Sequence, residues 1–130
     1  MLEFSKAIKR QLREWMIEAY ERELHRELTL VDQDFSQWRE GQISSGELSY
    51  RVDQYNRGPS YRLSELYNDR GSLSYNVAYA LVTGILNPDE VPQDVQEAIA
   101  PLIALYQKMK DEDDLYDPDA RLRAPRRRRR

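Results

Sequence analysis

Between Phe4 and Trp38 apolar residues recur at intervals of three and four, and this rhythm constrains the fold more than any other feature of the chain. Phe4, Ile8, Leu12, Trp15 and Ala19 share one helical face, and Leu24, Leu28, Val31, Phe35 and Trp38 continue the spacing. At ~100° per residue, however, the second group lies roughly 140° around the axis from the first. A single straight helix would turn its apolar stripe to a new side halfway along. Length sharpens the conflict. A helix from residue 2 to 39 would run about 57 Å, whereas a compact domain of this size is only about 34 Å across. The segment is therefore expected to break, with residues 29–34 favoured, because Thr29 and Val31 are β-branched and Asp32 can cap a new start. The alternative is a helix that projects and packs against another chain.

Gly41 ends this element. Ser44 and Glu47 then have the spacing of a capping box, with Ile43 and Leu48 at the staple positions. The helix that follows turns Leu48, Val52 and Tyr55 to one side and is expected to stop at Gly58-Pro59. Ser60 can cap a further short helix carrying Leu63, Leu66 and Tyr67, ending at Gly71. Residues 73–86 are apolar nearly all round, as befits the buried centre of a bundle. The last helix should start at Pro92 and present Val95, Ile99, Leu102, Leu105 or Tyr106, and Met109, with Pro101 kinking or splitting it. After Lys110 the periodicity vanishes. The expected architecture is all-α: residues 1–110 form a single domain, a compact bundle of five or six helices, and residues 111–130 a disordered acidic-then-Arg-rich tail.

Chain chemistry narrows the function classes. There is no cysteine, so disulfides and thiolate metal sites are excluded. No apolar run approaches the ~20 residues that span a bilayer, and the N-terminus has no signal-peptide core, so a cytoplasmic location is expected. The sole histidine, His25, sits on a charged helix face with no second histidine to share a metal. Glu18/Arg22, Glu47/Arg51 and Asp53/Arg57 fall at the i,i+4 spacing of surface ion pairs, and Asp32 and Asp34 lack any companion motif. Phosphate loops and nucleophile elbows are missing too. The reading is that the chain is not an enzyme and uses no cofactor or metal.

What stands out is a Tyr/Arg-rich stretch from residue 49 to 79. Ser49-Tyr50-Arg51 is echoed eleven residues later by Ser60-Tyr61-Arg62, with Arg57 and Arg70 nearby. Tyrosine and arginine dominate binding hot spots, and Arg57 and Arg62 flank a helix start at Ser60 where free backbone N–H groups could hold an anion. The candidate interaction residues are therefore Tyr50, Arg51, Arg57, Ser60, Tyr61, Arg62 and Arg70, together with Arg126, Arg127, Arg128, Arg129 and Arg130 in the tail. Residues 1–110 carry 13 basic and 17 acidic side chains, poor material for a non-specific nucleic-acid binder. The function expected is a non-catalytic interaction module with a protein partner: an adaptor, a regulator or a small subunit of a larger assembly. A homodimer would bury the surplus apolar face of the first segment. The rival is a nucleic-acid-associated protein using the Arg-rich tail with the Tyr/Arg surface of residues 49–79.

Overall fold

A computed structural model describes residues 3–69 and 71–123. Among them seven α-helices and no strand occur: α1 (Lys6–Arg39), α2 (Ser45–Tyr55), α3 (Tyr61–Tyr67), α4 (Leu73–Thr83), α5 (Gln93–Ala98), α6 (Ala100–Asp111) and α7 (Pro118–Arg123). A π-turn, Asn56–Ser60, fuses α2 and α3 into one rod, so the bundle has six helical bodies.

Helix α1 does not break at residues 29–34. It runs for 34 residues, about 51 Å at 1.5 Å per residue. Its start is fixed by Ser5, whose Oγ accepts from the Ile8 amide at 3.1 Å. Thr29, expected to weaken the helix, donates its hydroxyl to the His25 carbonyl one turn back at 2.7 Å. The C-terminus closes as a Schellman motif: Gly41 takes φ 74°, its amide bonds to the Trp38 carbonyl, and the Gln42 amide reaches the Gln37 carbonyl. Continuity is held from outside. The α2 helix lies against the far end, where Arg51 bonds to Asp34 and Gln37 at 2.9 Å each and Trp38 donates to Ser45 Oγ at 3.0 Å.

The stop expected at Gly58-Pro59 is also absent. In a regular α-helix Pro59 would lack the bond to the Tyr55 carbonyl and crowd it. The wider π-turn takes up the ring, and Asn56, Ser60 and Tyr61 all keep right-handed helical angles. At the start of α2, Ser44 Oγ accepts from the Glu47 amide as predicted, while the Glu47 carboxylate turns to Arg51 instead of back to the cap.

The α4 helix sits at the centre, with every residue from Asn76 to Val82 buried, and ends at Gly84 (φ 86°), short of the expected residue 86. Asn76, polar in this core, is satisfied by the Leu66 carbonyl at 2.9 Å and Ser72 Oγ at 3.0 Å. Pro101 splits the last predicted helix into α5 and α6 at Ile99, which is fully buried against the core. Order does not end at Lys110. After α6 the chain turns through residues 112–117 and forms α7, capped by Asp117 and anchored by Leu122, which is only 7% exposed. Residues 111–123 therefore belong to the packed body, which corrects the tail boundary. The five terminal arginines lie outside the described residues.

One surface tie joins α1 to the α4–α5 loop. Arg22 grips Glu90 through Nη2 and Nη1 (2.6 and 2.8 Å) and also reaches Glu18 and the Ile85 carbonyl. Arg22 and the Asn87 amide bring the Glu90 carboxyl from 4.5 down to about 2. Its stabilisation is therefore complete above pH 4.5 and is lost as the pH falls toward 2. The pair is about a third exposed, so solvent screening keeps the effect modest. In thermal melts between pH 4.5 and 2, Glu90→Gln should show a shallower acid dependence than wild type.

Candidate protein-interaction surface

The α2–π–α3 rod turns its Tyr/Arg residues to two opposite sides. Arg51 faces inward, tied to Asp34, Glu47 and Gln37; the hydrogen bond to Asp34, then that to Glu47, raises its pKa. Arg62 is half-buried, with its Nε enclosed and lacking a hydrogen-bond acceptor. Tyr50 (58% exposed) and Tyr61 (51% exposed) face outward, with Arg57 between them; its side chain is 81% exposed and lightly held by Asp53 at 3.1 Å. Tyr50 precedes the π-turn, Arg57 lies within it and Tyr61 follows it, and all three are exposed. In both Tyr-Arg pairs of the echo the tyrosine is exposed and the arginine half-buried.

Ser60 plays no capping part. It lies inside the rod with helical angles and no side-chain cap bond, so the free N–H groups expected around it are used within the helix. The structure thus brings Tyr50, Arg57 and Tyr61 together and separates Arg51, Arg62 and Ser60 from them. Arg70 and the tail arginines lie outside the described residues.

A second cluster escaped the sequence reading. The core-facing stripe of α1 does not stop at Ala19; it continues at four-residue intervals into Glu23 and Glu27, each only 2% exposed. Two buried carboxylates on one helix require counter-charges, and these come chiefly from α7, with Arg26 of α1 also 3.7 Å from Glu27. Arg121 Nη2 lies 2.6 Å from Glu23 Oε2, and Arg123 Nη2 lies 2.9 Å from Glu27 Oε1. Tyr67 donates its hydroxyl to the same Glu23 oxygen at 2.5 Å. Burial, then the Glu23 charge, push the Tyr67 phenol far above its ordinary range. The Arg121 guanidinium also rests 4.0 Å over the Tyr79 ring, whose hydroxyl bonds to the Tyr116 carbonyl and is pushed up to about 12 by burial. The signal was present in the sequence: glutamates where an apolar stripe should continue, and an Arg-Leu-Arg unit far along the chain.

His25 is exposed on α1. Among the described residues no group of three or more His, Asp or Glu side chains converges as a metal site. Nor is any helix among them long and apolar enough to cross a membrane. No family model, curated protein or solved structure matches this chain.

Removing Arg121 would strand the Glu23 charge in the interior. Arg121→Ala should cost about 3–5 kcal/mol in urea denaturation. Glu23→Gln combined with Arg121→Met should recover most of that loss, because the charge leaves together with its partner and the amide oxygen still accepts from Tyr67.

Proposed function

We propose that this chain is a non-catalytic, cytoplasmic interaction module: an adaptor, a regulator or a small subunit of a larger assembly, with a protein as its partner. The observation that carries this reading is the exposure of Tyr50, Arg57 and Tyr61 along the α2–π–α3 rod. Tyrosine offers a large contact area with a polar tip at low entropic cost, and arginine adds directional hydrogen bonds. The rod is held in place from behind by Arg51, so the face is presented on a rigid support rather than on a loop.

The other charged groups point the same way. Glu18, Arg22 and Glu90 are engaged with one another, as are Glu23 with Arg121 and Glu27 with Arg123. Side chains committed in this manner serve architecture rather than proton transfer. The nucleic-acid reading draws less support, since Arg51, Arg121 and Arg123 are each paired with a carboxylate of the fold.

Tyr50→Ala with Tyr61→Ala tests the assignment. Both sites are exposed, so the double variant should melt within a few degrees of wild type while losing a protein partner that wild type retains through high salt. Undiminished capture by the double variant sinks the assignment to this face. Recovery of nucleic acid that washes off steeply with salt transfers the function to the rival reading.

A further inference from the structure

The slot that α7 fills is built for a defined kind of segment. Its floor is α1, where the carboxylates of Glu23 and Glu27 lie one turn apart and almost wholly enclosed. Tyr79 of α4 and the π-turn bound it. α7 meets the floor with three consecutive side chains: Arg121 on Glu23, Leu122 buried, and Arg123 on Glu27. An Arg-apolar-Arg unit thus answers both carboxylates at once.

The floor is more firmly held than its occupant. α1 runs for 34 residues, and the Tyr67 hydroxyl also fixes Glu23. α7 has six residues, too few to be helical alone, and Leu122 is its one buried residue. The match between them is incomplete as well. Glu23 Oε1, Glu27 Oε2 and Arg121 Nε are enclosed without a hydrogen-bond partner, and the Arg26 Nε stands 3.7 Å from Glu27 Oε2, too far for a hydrogen bond. Each such group destabilises the docked state, and an occupant that served them would bind better.

We propose that this slot is a docking site for a basic helix of a protein partner presenting an Arg-apolar-Arg unit, and that α7 holds the site in cis until that helix displaces it. Charge complementarity sets the partner's chemistry, because an occupant without cations would strand both carboxylates. Length favours the exchange. A partner helix of several turns arrives with stability that α7 lacks, and with further arginine or lysine side chains for the two open carboxylate oxygens. The tether opposes it: residues 112–117 keep α7 at an effective concentration on the order of millimolar, which the partner has to outcompete. This exchange involves α1 and α7 and stands whatever Tyr50 and Tyr61 bind.

The test uses the full chain and an alanine-based helical peptide of about 20 residues with Arg-Leu-Arg at its centre, fluorescein-labelled at one end. Its anisotropy should rise saturably with added wild-type protein, and a control peptide with Ala-Leu-Ala at the centre should stay free. A thiol then reports whether α7 has left, since the chain has no cysteine of its own. In Leu122→Cys the thiol is covered while α7 is docked, and Val77→Cys, fully buried in α4, reports global unfolding. The first should react with a maleimide at least about tenfold faster than the second. Unlabelled peptide at about 1 mM should speed the Leu122→Cys reaction about threefold or more and leave Val77→Cys unchanged. Failure of wild type to bind the peptide overturns the proposal, as does equal binding of the control peptide. So does a Leu122→Cys thiol that reacts no faster than Val77→Cys, or one whose rate the peptide leaves unchanged.

Discussion

Two carboxylates buried on the longest helix set the terms for the rest of this molecule. Glu23 and Glu27 lie where α1 turns its core face, and an isolated charge there would carry a penalty of several kcal/mol. Their partners arrive 98 and 96 residues later, on a helix of only six residues. A helix that short has no stability of its own. Leu122, wedged between Arg121 and Arg123, adds the apolar burial that, with the ion pairs, keeps α7 in place. The chain end is in this way part of the core's electrostatic balance rather than an appendage to it.

This constraint explains the shape of α1. Its core face runs Leu12, Ala19, Glu23, Glu27 without turning aside, so the helix has no reason to break. Of the apolar residues that drift away from that face, Leu24 still packs against the core while Leu28 is left exposed. A spine of 34 residues can then carry α4 and α5 along one part and the α2–π–α3 rod along another, each fixed by its own polar tie. The π-turn serves the same end. By absorbing Pro59 it keeps Tyr50 and Tyr61 on one unbroken run of helix.

Much of the candidate surface could be read before the fold was known. The Tyr-Arg echo marked Tyr50 and Tyr61, although a stop expected at Gly58-Pro59 would have put them on separate helices. Which way each arginine points could not be read so. Arg51 has Asp34, Glu47 and Gln37 to choose from, and two of these belong to another helix. Ser60 was misread because Gly-Pro ordinarily ends a helix; a widened turn is a rarer answer to the same steric problem. The acidic pair was overlooked because apolar periodicity treats glutamate as a surface residue, and it is one unless a distant arginine supplies the counter-charge.

What the sequence determined by itself is what neighbouring residues decide through sterics and local hydrogen bonds. Ser5 and Ser44 start helices, Gly41 and Gly84 end them with left-handed angles, and Pro101 divides α5 from α6. The all-α class and the central place of α4 follow from composition and periodicity in the same way. Only the tertiary structure decided that α1 runs unbroken, that α2 and α3 fuse, and that residues 111–123 fold back onto the body. The first and the last of these rest on groups brought together from far apart in the chain, Arg51 with Asp34 and Arg121 with Glu23 above all. Local preference cannot anticipate the burial of a charge, because its energy depends on a partner that only the folded chain delivers.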